Sequence, residues 1–235
     1  ARTAHRPPKA TSATHPAGRA CMIPAAMGEK HTVLTIVRHG QTSANLDGVW
    51  HGSIDTPLTE HGQRQAAAVG AHIERHHRPV RHVYASPLVR AHHTARAIAE
   101  PLGLQPTLDP DLVEYDLGSW EGLSFKHLWE EKQLFQNMKL DPHYRPHGGE
   151  SPIQVGDRIA NALRRIAQRH AGERVVVVSH GGALGLGFGV LLDGDYTRWD
   201  RMMSNCAISE LVFDPVPSLE IFNFDEHLPS ENDEA

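Results

Sequence analysis

The sequence has few of the residues that indicate a disulfide-stabilised, zinc-binding or nucleic-acid-binding protein. Its 235 residues include only two cysteines, Cys21 and Cys206, and no C-x-x-C pair, which excludes a disulfide framework and a cysteine zinc site. The net charge is −5, whereas nucleic-acid-binding domains are usually strongly basic. We therefore predict no nucleic-acid partner and, because the chain contains so little cysteine, a cytoplasmic location.

Long hydrophobic segments are also scarce. The most apolar stretch, residues 175–192, is interrupted by Ser179, His180 and several glycines, so a strand followed by a buried helix explains it better than a membrane span. Residues 1–30 are rich in basic residues and proline and are predicted to form a disordered leader. Residues 225–235 carry five acidic side chains and are predicted to form a solvated acidic tail. A single domain over residues 31–224 remains, with no predicted membrane association.

Hydrophobic periodicity within that domain predicts strands that alternate with helices. The predicted strands cover residues 32–37, 82–85, 175–178, 207–213 and 219–224, and the predicted helices cover residues 58–76, 86–100, a segment from 124, 151–170 and a segment after 182. Thr59, Ser86 and Ser151 are predicted N-caps, the last two because proline follows them. This alternation is typical of a three-layer α/β fold, with helices on both faces of a mostly parallel sheet.

Polar side chains follow three of the predicted strands. Arg38 and His39 follow the first strand, Arg90 comes shortly after the second, and His180 follows the third. The carboxyl ends of parallel strands meet at one edge of a sheet, so we expect these four side chains to converge. Arginines with strand-end amides suit a phosphate dianion, and a neutral imidazole can attack phosphorus. A carboxyl group is the expected proton donor to the leaving oxygen.

These residues belong to an ordered set of motifs between Thr32 and Phe213. In chain order the motifs are Arg38-His39-Gly40, Asn45, Gly52, Asp55, Leu58-Thr59, residues 86–95 (SPLVRAHHTA), residues 112–114 (LVE), residues 118–122 (GSWEG), Gly149-Glu150-Ser151 and residues 179–182 (SHGG). The pattern resembles the histidine phosphatase superfamily, which includes the cofactor-dependent phosphoglycerate mutases. The resemblance implies a phosphoglycerate mutase-like fold. It also implies the catalytic residues His39, Glu114 and His180 and a phosphate pocket of Arg38, Asn45, Arg90 and His180.

Within that family, the sequence favours a phosphatase over a mutase. Only 66 positions separate Glu114 from His180, where the mutases usually carry a longer insertion, and Ala44 stands where they usually carry an aromatic residue. The expected substrate is a small phosphorylated metabolite of the sugar phosphate, phosphoglycerate or ribazole phosphate type. Asp116 and Glu121 lie close enough in sequence to leave the acid assignment open.

Two other functions remain alternatives at this point. One is a phosphoglycerate mutase, and the other is a non-catalytic phospho-ligand binder, which would have no need of both His39 and Glu114. We predict no cofactor and no metal, because the arginines already supply positive charge and the carboxylate cluster of a two-metal site is absent. A homodimer is left open.

Overall fold

The structure is a computed structural model that describes residues 31–230. The predicted leader over 1–30 and the last five residues of the predicted tail lie outside this range. The strands are β1 (Thr32–Arg38), β2 (Val80–Ala85), β3 (Pro106–Leu108), β4 (Arg174–Ser179), β5 (Ile208–Asp214) and β6 (Val216–Phe224). The helices are α1 (Ser43–Asp47), α2 (Glu60–His76), α3 (Val89–Leu102), α4 (Phe125–Glu130), α5 (Leu134–Leu140), α6 (Pro152–Arg169) and α7 (Gly181–Phe188).

The six strands of the described chain form one sheet in the order β3-β2-β4-β1-β5-β6. The four strands from β3 to β1 run parallel, whereas β5 is antiparallel to β1 and β6 is antiparallel to β5. The central strands β1 and β4 consist mainly of β-branched residues, as expected of strands that are buried on both faces. The predicted mostly parallel sheet is confirmed, with an antiparallel pair at one edge.

Two hydrophobic clusters lie on opposite faces of the sheet. Successive side chains of a strand point to opposite faces, and accordingly Leu34 and Ile36 belong to one cluster while Val37 belongs to the other. Helices α6 and α7 cover the first face, and helices α2 and α3 cover the second. The predicted three-layer arrangement is therefore confirmed.

The apolar stretch over residues 175–192 divides between several elements. It supplies most of β4, all of α7 and part of a π-helical turn, Gly189–Asp193. Within the described part of the chain, every helix is too short or too polar to cross a bilayer.

Three of the predicted helix starts are confirmed, and each depends on a contact between near neighbours in sequence. The Thr59 hydroxyl accepts a hydrogen bond from the Gly62 amide at 3.0 Å, and α2 begins at the next residue. Ser124 caps α4 in the same way. Ser151 caps α6, with Pro152 as the first helical residue. The hydroxyl–amide bonds of Thr59 and Ser124 satisfy donors that the helix itself leaves unpaired, whereas the amide and hydroxyl of Ser151 donate to the Gln154 side chain.

The predicted start of α3 is wrong. Ser86 and Pro87 precede the helix, which has Leu88 as its N-cap and begins at Val89. The Val89 amide donates to the carboxylate of Asp55 at 2.7 Å, so a distant acidic side chain replaces the local serine. The Ser86 hydroxyl instead lies 2.7 Å from Nε2 of His180.

The chain after β6 packs on the same face as α2. The His227 ring stacks on Phe224, and its Nε2 lies 3.2 Å from the carbonyl oxygen of Cys206. Leu228 packs against the second hydrophobic cluster. The described part of the predicted acidic tail therefore begins with apolar and aromatic contacts.

A buried ionic cluster connects β4, β5 and the end of α2. The Glu210 carboxylate is 3% exposed, contacts the Arg174 guanidinium and accepts a hydrogen bond from Nδ1 of His77 at 2.9 Å. Burial alone would raise the pKa of Glu210, but the hydrogen bond from His77 and the charge of Arg174 outweigh burial and lower it. A lowered pKa means that folding stabilises the ionised carboxylate.

The Glu210→Ala substitution should lower the free energy of unfolding by about 3–5 kcal/mol, because it leaves the mostly buried Arg174 without its acidic partner. The wild-type advantage should be present above the pKa of the unfolded carboxyl group and should disappear as the pH falls through the lower, folded pKa. Urea unfolding of both proteins over a pH series measures this. The Glu74→Gln control removes a surface ion pair with Arg78 and should cost at most about 1 kcal/mol. Equal losses in the two variants would contradict the assignment.

Candidate active site

A small cleft, partly open to solvent, lies at the carboxyl ends of β1, β2 and β4. Its wall contains five of the six predicted site residues. These are Arg38, His39, Asn45, Arg90 and Glu114. The sixth, His180, is completely buried, and its ring centroid lies 5.1 Å from that of His39.

His39 comes directly after β1 and is held in one orientation. Its Nδ1 lies 2.7 Å from the carbonyl oxygen of Gly40, so Nδ1–H donates and Nε2 keeps a free electron pair. Burial, followed by the charges of Arg38 and Arg90, holds the pKa of His39 well below the usual 6.5. The imidazole is therefore neutral near pH 7, which a nitrogen nucleophile requires.

Arg90 connects three parts of the cleft wall. Its guanidinium donates to the carbonyl oxygens of Gly52 at 2.7 Å and Ile54 at 2.9 Å. Its Nε donates to Nδ1 of His180 at 3.2 Å. Burial lowers the pKa of Arg90, and the nearby charge of Glu114 opposes that effect. The side chain thus fixes the loop before α2 and leaves a buried positive charge beside the cleft.

Both ring nitrogens of His180 have partners. Because Nδ1 accepts from Arg90, Nε2 carries the proton and donates to Ser86. Burial, then the charges of Arg90, His39 and Arg38, lowers the pKa of His180 well below its usual value. The ring is therefore neutral, and contact with a bound phosphate requires that it release the Ser86 hydroxyl.

Arg38 and Asn45 have hydrogen-bond donors left for an anion. Arg38 donates through Nη1 to the carbonyl oxygen of Met203 at 2.7 Å, but its buried Nε has no hydrogen-bond partner within residues 31–230. The side-chain oxygen of Asn45 already accepts from Thr42 and from the amide of Asn205. The amide nitrogen of Asn45 is thus the group that remains for a ligand.

Glu114 is the carboxylate among the lining residues of the described chain. Its Oε1 accepts from the amides of Tyr115 and Ala183 at 2.8 and 2.7 Å, and its Oε2 accepts only a longer bond of 3.3 Å from Gly182. A Cβ at position 182 would overlap the Trp50 ring and lie 3.0 Å from Oε1, so this close approach requires glycine.

The two other acidic residues considered from the sequence bond elsewhere. Glu121 accepts from the amide and the hydroxyl of Ser53, and Asp116 accepts from the amide of Gly118. Neither lines the cleft. Of the three candidates, only Glu114 lines the cleft together with His39 and the arginines, although the charge of Glu121 also acts on Arg90.

Several contributors were not identified from the sequence as site residues. His51 lines the cleft between Trp50 and Gly52, its Nδ1 lies 2.7 Å from the Thr56 hydroxyl, and burial followed by the charge of Arg90 lowers its pKa. Met202 also lines the cleft. Asn205 bonds to Asn45 and to the carbonyl oxygen of His39. In the sequence, only His51 could have been found, because it stands next to the Gly52 motif. Met202 and Asn205 are far from the motifs in sequence, and only the folded chain brings them to the cleft.

Known proteins resemble this chain in sequence. A metal-independent phosphoserine phosphatase of Arabidopsis thaliana is 40% identical over 158 residues, which is 65% of this chain and 66% of the plant protein. The alignment thus covers slightly less than two thirds of that protein. Phosphoserine phosphatase 1 of Hydrogenobacter thermophilus is 32% identical over 75% of this chain and 84% of its own length.

A solved structure shows the same fold. A phosphoserine phosphatase from Entamoeba histolytica, in complex with phosphoserine, superposes with a TM-score of 0.75 at 28% identity and covers 84% of this chain and 100% of its own. The phosphoglycerate mutase-like α/β fold is therefore confirmed, and the relatives' names support a small-metabolite phosphatase. The family pattern of the histidine phosphatase superfamily (branch 1) matches residues 34–218, and the chain belongs to that superfamily.

Proposed function

We propose that this chain is a metal-independent phosphomonoesterase that hydrolyses a small phosphorylated hydroxy acid, of which phosphoserine is the prototype, through a phosphohistidine at His39. One observation carries the proposal: a neutral His39 with a free Nε2 lies in a cleft whose wall holds two arginines and one carboxylate. The substrate class is supported by the relatives named phosphoserine phosphatase and by the related structure that holds phosphoserine.

In the first step, Nε2 of His39 attacks phosphorus, the P–N bond forms and the P–O bond to the leaving alcohol breaks. Arg38, Arg90 and the amide nitrogen of Asn45 stabilise the charge on the phosphoryl oxygens. His180 acts mainly by holding Arg90, and it contacts the phosphate only when its ring leaves Ser86.

Glu114 supplies the proton that the leaving oxygen needs. Its Oε1 is held by two short hydrogen bonds, so the less engaged Oε2 is the atom suited to carry and deliver a proton. In the second step, Glu114 takes a proton from water as the water oxygen attacks phosphorus, the P–N bond breaks, and inorganic phosphate leaves.

Water is the proposed acceptor because the cleft is partly open to solvent. The chain between Glu114 and α6 contains two short helices, α4 and α5, and a turn segment over residues 141–151. Of these, Phe125 of α4 reaches the wall of the cleft. A mutase must protect its phosphohistidine from water, and this short segment offers little chain for full enclosure. The cytoplasmic location and the catalytic domain over residues 31–224 remain part of the proposal.

The His39 and His180 rings should stay neutral as the pH is lowered from 8 to 6, since burial and the neighbouring arginines depress both pKa values. In a proton–carbon NMR titration, the imidazole resonances that disappear in His39→Ala and His180→Ala should not shift over this range. A titration midpoint above pH 6 for His39 would contradict the proposed nucleophile, and one for His180 would contradict the neutral state of that ring.

Purified protein should release inorganic phosphate from L-phosphoserine without added metal. With 3-phosphoglycerate and a trace of the 2,3-bisphosphate, phosphate should appear faster than 2-phosphoglycerate, because water has access to the phosphohistidine. Isomer that forms much faster than phosphate would reject the hydrolase and identify a mutase.

A covalent intermediate should accompany this turnover. Rapid quenching with labelled substrate should give an acid-labile, alkali-stable label on the wild-type protein and none on His39→Ala. A His39→Ala variant that binds phosphate but turns over at the wild-type rate would exclude the mechanism, and binding without any turnover in the wild type would indicate the non-catalytic alternative.

Glu114→Gln should slow the hydrolysis of alkyl phosphates by roughly 10²–10⁴-fold, the usual contribution of general acid catalysis. The leaving oxygen of an aryl phosphate with a good leaving group needs little protonation. The rapid initial release of the aryl alcohol, which reports phosphoryl transfer to His39, should therefore be much less affected. The matched control is Glu130→Gln, which changes an exposed carboxylate of α4 outside the cleft and should leave both rates near wild type. Equal losses for the two substrates in Glu114→Gln would remove Glu114 from the acid role.

A further inference from the structure

A second cluster of polar side chains lies near the amino-terminal ends of β2 and β4, whereas the cleft lies at their carboxyl ends. Among residues 31–230, one group of three possible metal ligands has ligand atoms that all lie within 4.8 Å of one another: His82, His170 and Glu173. His82 is in the first half of β2, His170 follows the last residue of α6, and Glu173 immediately precedes β4. The site chemistry described above lies at the other ends of these strands.

The separation between His82 and Glu173 suits a small divalent cation. Nε2 of His82 lies 3.3 Å from Oε2 of Glu173. In a tetrahedral zinc site with bonds of about 2.0–2.1 Å, neighbouring ligand atoms are roughly 3.3–3.4 Å apart. The Oε2 atom is buried and makes no hydrogen bond to the described residues, and its contact with His82 is an ion pair only when that imidazole is protonated. A buried carboxylate oxygen without a donor needs a partner, and a cation would supply one.

The two imidazoles lie against each other, and a turn of the more exposed ring would let both reach the same ion. Their ring centroids are 3.8 Å apart with planes 30° from parallel. Because the His82 side chain is 41% exposed, its ring can turn to direct a nitrogen towards the ion. The Tyr84 hydroxyl lies 3.0 Å from Nε2 of His170, which orients that ring and leaves Nδ1 for coordination. Metal-binding histidines are commonly oriented in this way by a partner on the second nitrogen.

We propose that His82, His170 and Glu173 bind a zinc-like divalent cation, with water as the fourth ligand. Two imidazoles and one carboxylate form a ligand set that zinc accepts with an open fourth position. The ion would connect β2, the end of α6 and the start of β4, so its effect is on stability and not on the chemistry of the cleft. The sequence gives little sign of the site, because its ligands come from three elements that only the fold brings together.

The test uses the full chain, first stripped of metal with a chelator that is then removed. Equilibrium dialysis against Zn²⁺ should show one site that is lost in His82→Ala and in the more conservative Glu173→Gln. The Zn²⁺ affinity should fall by at least roughly 10–100-fold, because that is the loss seen when only a residue that orients a metal ligand is removed. Co²⁺ should give a visible absorption band in the wild type that is absent from both variants, and Zn²⁺ should raise the Tm of the wild type alone.

The matched control is His93→Ala, which removes an exposed histidine of α3 and should bind Zn²⁺ and Co²⁺ as the wild type does. Phosphate release should be unchanged by chelation and by all three substitutions. Zn²⁺ binding that is equal in the wild type, His82→Ala and Glu173→Gln would overturn the proposal, as would loss of the site in His93→Ala. A phosphatase rate that disappears with chelator and returns with Zn²⁺ would overturn the separation of this site from catalysis.

Discussion

The geometry of the cleft depends on one buried cation, the guanidinium of Arg90. Its donors bind the carbonyl oxygens of Gly52 and Ile54 and the ring of His180, so the side chain joins the loop before α2, helix α3 and the end of β4. A buried charge with mainly neutral partners is costly. The compensating negative charge comes first from Glu114 and then from Asp55 and Glu121, and a bound phosphate would add to it. The same charge that organises the wall therefore also favours the ligand.

The positive charge has a second consequence, which concerns the nucleophile. Arg38 and Arg90 both oppose protonation of His39, and burial does so more strongly. A histidine in water is partly protonated near neutral pH, and a protonated imidazole cannot attack phosphorus. The arrangement that binds the phosphate dianion thus also keeps Nε2 available, which explains why arginines and histidines occur together at these strand ends.

The sequence predicted the elements whose signals are local. The caps at Thr59, Ser124 and Ser151 are contacts between residues three positions apart, so the pattern shows them directly. Ser86 has the same local pattern but a different structure, because the more distant Asp55 binds the start of α3. Helix α1 and strand β3 have five and three residues, too few for a periodicity to be visible.

The choice between neighbouring carboxylates shows the same division between local and tertiary information. Glu114, Asp116 and Glu121 are similar in sequence terms, but only tertiary contacts decide which of them faces His39. The amides of Gly182 and Ala183, at the start of α7, hold the Glu114 carboxylate, and the Ser53 loop holds Glu121. The helix that follows His180 therefore positions the proposed acid as well. This is a physical reason for two glycines after that histidine: Gly181 makes room for the guanidinium of Arg38, and Gly182 makes room for Trp50 and Glu114.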